Sequence, residues 1–337
     1  MFDFDDLDEK LSTDTTATSA PARSYRHRWA VNIEDWKPIG DEHGAEFQCL
    51  LDLIPEEVER TQVMKYVYLA DKKRALIGRL LMRQACASGL GHSTFQTMCI
   101  QRTKGKKPFL AAPLMEEALA PNWNVNVSHE GDWVVCASEP LCVVGVDVAH
   151  LRRMKENGEP LDFYTIFRDS LTELEWEDVR QGGPTLDDQY EVFARYWSAK
   201  EAFTKARGDG LAFSFSQAEF RWSSVPNSKL SYVGSVTIGG KAAPLWRFYQ
   251  WKLPCSKPHW TTVARGPITD IVDAHGVFAK TFRRPQEAFS QEAWRCALAE
   301  SSPEFEVLPV AALVPADHLD AYEAASTSAA SETRLQT

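Results

Sequence analysis

The chain contains no Cys-x-x-Cys pair, no apolar run long enough to span a bilayer, and no Gly-rich phosphate-binding motif. Its seven cysteines (49, 86, 99, 136, 142, 255 and 296) are odd in number and sit mostly in apolar runs. They read as buried free thiols of a reducing compartment, not as disulfides or zinc ligands. The start, Met-Phe-Asp-Phe-Asp-Asp, lacks the basic and apolar regions of a secretory signal, so the cytosol is the expected location. Positive charge is in short supply overall. Lys and Arg total 37 against 47 Asp and Glu, a net charge of −10 that argues against general nucleic-acid or membrane-surface binding.

The shortage reverses locally. Between Lys72 and Pro108 there are nine basic residues and no Asp or Glu. Folded into one lobe, such a stretch presents a cationic surface to a phosphate-rich or acidic partner. For the helical part, Lys72 to Arg83, a solvated helix face is the better reading. For Arg102-Thr-Lys-Gly-Lys-Lys107 the balance favours function, because Arg offers bidentate donors to phosphate, Lys a mobile charge, and Gly105 a close backbone approach.

Length and an apolar fraction of 44% suit two lobes and tails. Residues 1–24 are acidic and then Ser/Thr/Ala-rich, and are expected to lack structure. An N-terminal lobe is expected over 25–140, a C-terminal lobe over 141–265, and a partly disordered extension over 266–337, whose last fifteen or so residues lack structure while Phe305 to Val314 packs back. Helices are expected from Pro55, from Asp71 as a cap to the stop at Gly89 and Gly91, after a capping box at Ser170 to Glu173, and from Leu186 to Arg207. Strands are expected at 28–33, 95–101, 122–127, 133–137, 141–148, 218–222, 231–238, 245–251 and 260–264. Helices followed by strands, twice over, indicate an α+β protein. No internal repeat is visible in the sequence.

On the long helix Val192, Phe193, Tyr196, Trp197, Ala199 and Phe203 fall on one arc. Lys200 lies within that arc, whereas Glu201 and Lys205, four apart, share its edge. Taken alone this pair is an ordinary exposed ion pair. Asp147 interrupts an apolar run suited to a buried strand, where an unpaired carboxylate costs several kcal/mol, roughly, and needs a partner. A helix cap is one answer; a divalent cation shared with Glu201 is the sharper one, since carboxylate oxygens suit Mg²⁺. Ser128-His129 makes a poor nucleophile–base pair, because adjacent strand residues point to opposite faces.

Gly145-Val-Asp-Val148 followed by Trp197-Ser-Ala-Lys-Glu-Ala-Phe-Thr-Lys205 resembles the signature of the 4′-phosphopantetheinyl transferases, in their larger eukaryotic form. Asn126-Val-Ser-His129, Gln101 to Pro108 and Pro55 to Arg60 support it, and the resemblance covers roughly residues 28 to 265. It implies two similar lobes in a pseudo-twofold arrangement, usually a monomer. It also implies transfer of phosphopantetheine from coenzyme A to a serine of an acyl- or peptidyl-carrier domain. Asp147 and Glu201 become the Mg²⁺ ligands. Many bacterial members carry a further acid where this chain has Ala149; animal-type members instead offer a polar group at the position of Glu130, which is therefore the third ligand. Catalysis falls to Glu201, Lys205, Asp147 and His129. Coenzyme A is gripped by Arg60, by Arg102, Thr103, Lys104, Gly105, Lys106 and Lys107, by Asn126, Val127, Ser128 and His129, and by Lys200 and Lys205. A coenzyme A- or carrier-binding protein without turnover and a Mg²⁺-dependent nucleotide hydrolase are the alternatives.

Overall fold

The computed structural model describes residues 24–150, 162–210, 213–228, 230–254, 258–272, 278–282 and 291–333. The expectation for residues 1–24 thus falls, Ser24 apart, outside the described residues, as does Cys255.

In the first lobe β1 (Arg28–Asn32) pairs antiparallel with β5 (Trp133–Glu139), and β5 with β4 (Asn124–Glu130). Helices α1 (Ala45–Asp52) and α2 (Glu57–Met64) lead into α3 (Leu69–Leu90), which lays Leu76, Ile77, Leu80 and Leu81 against Val125, Val134 and Cys136. Two expected helix starts differ. Pro55 stands outside α2, whose cap is Glu56, and α3 starts from Tyr68 because Leu69 already packs against the core. Asp71 instead sits in the first turn, where the helix dipole favours an acid, and pairs with Arg74 at 2.6 Å. The end of α3 is as expected: Gly91 takes φ +68°, a conformation open to glycine without penalty. A hairpin of β2 (Cys99–Arg102) and β3 (Pro108–Ala112) follows, so the strand expected from residue 95 begins only at Cys99 and its partner was not anticipated.

The second lobe is also built of a sheet with a long helix against it. Strands β6 (Val143–Ala149), β7 (Ala218–Ser224), β8 (Leu230–Ile238), β10 (Arg247–Leu253) and β11 (His259–Gly266) form an antiparallel sheet in the order β6-β11-β10-β8-β7, with β9 (Lys241–Ala242) on β8. Short helices α4 (Phe163–Ile166) and α5 (Glu173–Arg180) precede α6 (Leu186–Arg207). The capping box of α5 is Thr172 with Glu175, not Ser170 with Glu173: the Thr172 hydroxyl accepts from the Glu175 amide while the Glu175 carboxylate accepts from the Thr172 amide. The expected arc of α6 holds, since Phe193, Tyr196, Ala199 and Phe203 are buried with Phe220, Trp246 and Phe248. Where α6 crosses β6, a Cβ on Gly145 would lie 2.0 Å from the Ala202 carbonyl, so only glycine permits this approach.

Beyond the second lobe the chain returns to the first. Helix α7 (Gln291–Ala299) is followed by β12 (Glu306–Val307), which pairs parallel with β1. Leu308, Val310, Leu313 and Val314 enter the first-lobe core, as their apolar character suggested. Helix α8 (Leu319–Thr333) packs on α1, with the Tyr322 hydroxyl donating to Glu46 at 2.7 Å. It occupies part of the stretch expected to lack structure. Its Ala-rich composition is a good helix former, and Tyr322 anchors it.

The two sheets abut edge to edge through side chains. Asn124 and Asn126 of β4 accept from the amides of Val144 and Val146 of β6, at 2.9 and 2.8 Å. These amides lie on the edge of β6 away from β11 and are satisfied there by carboxamides instead of backbone. Nearby, Glu139 is fully buried between Arg28 and Arg265. Burial opposes its charge, yet these guanidiniums hold its carboxyl below the ordinary range. Of the cysteines, 86, 136 and 142 are buried, Cys49 is half-buried, and Cys99 and Cys296 are exposed; all six are free thiols.

Candidate active site

Strand alternation decides where Asp147 points. Val144, Val146 and Val148 enter the core shared by the lobes, so Gly145 and Asp147 face α6. Asp147 is buried, and its Oδ1 accepts from the Ser128 hydroxyl at 2.7 Å and the Lys205 ammonium at 2.5 Å. Lys205 also donates to Ser128 Oγ at 2.8 Å. Burial raises the Asp147 carboxyl above its ordinary pKa, against the pull of Lys205. One turn earlier Glu201 is half-buried; its backbone carbonyl accepts from the Thr204 hydroxyl at 3.1 Å, while its carboxylate lies near Asp147 and Lys205. Its carboxyl is raised by burial and then by repulsion from Asp147, with Lys205 opposing. Ser128 is thus tied to Asp147 and Lys205, and no serine–histidine dyad forms. His129, on the opposite face of β4, turns toward α3, and its imidazole is lowered by the surrounding protein and then by Arg74 and Lys205.

A cleft of about 1100 Å³ runs between the lobes, over α3, the β2–β3 loop, β4 and the end of α6. Of the expected residues it is lined by Arg102, Thr103, Gly105, Lys106, Lys107, Asn126, Val127, His129, Glu201 and Lys205. The loop is closed by an amide of Thr103 donating to the Lys107 carbonyl at 2.9 Å, and Lys106 takes φ +65° within it. Lys104 is exposed on this loop and does not line the cleft.

Three further expected assignments change. Arg60 donates to the carbonyls of Ile54 and Pro55, at 2.6 and 3.1 Å, and so fastens the turn between α1 and α2 instead of facing the cleft. Lys200 is fully buried on the other side of α6. Its ammonium pairs with Glu175 at 2.6 Å and donates to the carbonyls of Phe215 and Ala218. A lysine amid aromatics is here a core ion pair and not a ligand of anything in the cleft. Glu130 ends β4 at the exposed tip of the β4–β5 hairpin, opposite Trp133, while Asp147 is turned to Lys205. Among the described residues no three His, Cys, Asp or Glu side chains gather as a metal site, so Glu130 is not brought together with Asp147 and Glu201.

The sequence reading passed over two arginines. Arg74, Ala75, Gly78, Arg79 and Met82 form one stripe of α3 along the cleft wall. Arg74 is held by Asp71 and by the Gly131 carbonyl at 2.5 Å; Arg79 is held by Glu59 at 2.6 Å and Gln62 at 3.1 Å. Glu59 also receives Arg102 at 3.2 Å. Lys72, Lys73 and Arg83 turn inward to Glu42, the Trp36 carbonyl and Glu56. The signal that separates them is this spacing, which sets Arg74 and Arg79 on the same side of the helix as Gly78.

The arrangement is a cationic interlobe cleft ending at two carboxylates and a lysine, which is a site for moving a phosphorylated group without a protein nucleophile. Residues 34–141 match the model of the 4′-phosphopantetheinyl transferase N-terminal domain, and residues 143–264 that of the 4′-phosphopantetheinyl transferase superfamily. The L-aminoadipate-semialdehyde dehydrogenase-phosphopantetheinyl transferase of Mus musculus is 33% identical over 240 residues, 70% of this chain and 74% of that protein. The Homo sapiens protein of that name is 32% identical over 240 residues with the same coverage. A 4′-phosphopantetheinyl transferase of Bacillus subtilis is 30% identical over 156 residues, 46% of this chain and 60% of that protein. The chain belongs to the 4′-phosphopantetheinyl transferase superfamily, and its fold is the α+β fold of that family.

Proposed function

We propose that this transferase moves 4′-phosphopantetheine from coenzyme A to a serine hydroxyl of apo acyl- or peptidyl-carrier domains, releasing 3′,5′-ADP. The serine oxygen forms a bond to the β-phosphorus, the bond from that phosphorus to the bridging oxygen breaks, and the electron pair leaves with 3′,5′-ADP. Glu201 takes the serine proton; a carboxyl held above its ordinary pKa is suited to a general base near neutrality. Lys205 and His129 hold charge on the pyrophosphate as it develops. Arg74, Arg79, Arg102 and the loop from Thr103 to Lys106 bind the nucleotide, with Arg102 toward the 3′-phosphate.

The donor set fits one Mg²⁺. Asp147 and Glu201 are two carboxylates close enough that one raises the other, and Mg²⁺ is commonly held by one or two carboxylates plus substrate phosphates. When bound there it would supply neutralising charge at the pyrophosphate. We further propose that the protein acts in the cytosol as a monomer; the first part is supported by the six free thiols of the described residues.

The observation that carries the reading is the Glu201–Asp147–Lys205 constellation at the end of an arginine-lined cleft. The test is to incubate the protein with coenzyme A, Mg²⁺ and several apo-carriers and weigh the carriers. A gain of one phosphopantetheine mass is expected. No gain on any carrier, with coenzyme A still bound, leaves a binding protein without turnover. Phosphate release without a carrier means a hydrolase.

A further inference from the structure

Lys107 lines the cleft, but its ammonium is committed elsewhere. It donates to the carbonyl of Lys205 at 2.6 Å and of Ala206 at 3.3 Å, and stands 3.7 Å above the ring of Phe278. The two carbonyls belong to the last turn of α6, which ends at Arg207, and the last turn of a helix leaves its carbonyls without amide partners. A cation there is favoured by the helix dipole as well, and the aromatic face adds its own attraction. Three parts of the molecule therefore meet on one side chain: the β2–β3 loop of the first lobe, the end of α6 in the second, and the segment that leads back to the first.

We propose that Lys107 is a positioning residue, a clasp between the lobes that fixes the backbone of Lys205 so that its ammonium reaches Asp147 and Ser128. The same contact seats the loop carrying Arg102, Thr103 and Lys106. This rests on the transferase reading and assigns Lys107 a task other than phosphate binding. A phosphate ligand is replaced at a cost in nucleotide affinity. A clasp is replaced at a cost in the rate from the bound state, because Lys205 loses its fixed place while the nucleotide contacts of the other residues survive.

The test compares wild type with Lys107→Met and Lys107→Arg, measuring 3′,5′-ADP binding by calorimetry and, separately, kcat and KM for coenzyme A with an apo-carrier. Lys107→Met is expected to lower kcat on the order of ten-fold or more, with the Kd for 3′,5′-ADP within about two-fold of wild type. Lys107→Arg keeps a cation over Phe278 and the carbonyls, and is expected to recover most of the rate. If Lys107→Met instead weakens 3′,5′-ADP on the order of ten-fold and leaves kcat at saturating coenzyme A intact, Lys107 is a phosphate ligand and the clasp is refuted. Unchanged kcat and Kd refute it as well. Should Lys107→Met fail to fold, Phe278→Leu removes only the ring, and a smaller fall in kcat at constant Kd is expected; no fall overturns the proposal. A wild type that modifies no carrier overturns the transferase reading instead, so the two failures are distinct.

Discussion

Replacing Lys205 with methionine should reveal how Asp147 is held. Asp147 is buried, and apart from the Ser128 hydroxyl its Oδ1 is served by the Lys205 ammonium at 2.5 Å. Removing one partner of a buried ion pair costs about 3–5 kcal/mol, because the remaining charge stays desolvated. Lys205 is 30% exposed, so the pair is partly hydrated and the lower figure, about 3 kcal/mol, applies. The sign of the pH dependence follows from the raised carboxyl of Asp147. Losing Lys205 raises it further; the penalty is full above that folded-state value and fades as pH falls through it, since the protonated group needs no counter-charge. Denaturant unfolding at pH 7 and pH 5 should therefore show the larger loss at pH 7. The double variant with Asp147→Asn should regain most of the stability. A loss under about 1 kcal/mol at pH 7, or one equal at both pH values, would refute the claim that this lysine compensates this carboxylate.

Glu201→Gln should abolish transfer while raising stability by about 1 kcal/mol, roughly 2 °C in Tm. The charged carboxylate of a raised Glu destabilises the fold above its folded-state pKa, and the amide lacks that charge; melting curves and carrier mass check both halves. Lys200→Met should destabilise by about 3–5 kcal/mol, leaving Glu175 buried and unpaired, with 3′,5′-ADP affinity unchanged by calorimetry. Arg102→Ala should weaken coenzyme A about ten-fold, and dephospho-coenzyme A less; equal losses would contradict a 3′-phosphate contact.

How far the fold and site can be read in the sequence depends on how local each determinant is. The ends of α3 and α6 were legible because Gly91 and Gly208 carry a left-handed conformation that belongs to the residue itself. The apolar arc of α6 was legible because 3.6-residue periodicity needs no partner to be seen. The starts were harder: Asp71 and Ser170 are good caps by type, yet α3 starts from Tyr68 because Leu69 packs on the core, and α5 starts from Thr172, whose capping box with Glu175 competes with the Ser170–Glu173 pair. Asp147 faces α6 as a buried-strand carboxylate in need of a partner should, but its direct ion pair with Lys205 was not foreseen, since the spacing left that lysine for a phosphate. Arg60, Lys200 and Arg74 defeated the reading for one reason. A cation's role is set by which carboxylate or carbonyl the fold delivers: Glu175 and the Gly131 carbonyl are distant in sequence from Lys200 and Arg74, and the nearby Ile54 and Pro55 carbonyls reach Arg60 only because the turn before α2 folds back on it.

The seam between Asn124, Asn126 and the border of β6 has a consequence for how the molecule can be dissected. A carboxamide fits its amide at one offset only, so the halves cannot slide by a single residue without stranding two polar groups in a dry interior. Each half is the other's missing neighbour. Separately expressed fragments cut at residue 140 would carry a raw border apiece, and they should reassociate or precipitate before either behaves as an independent protein.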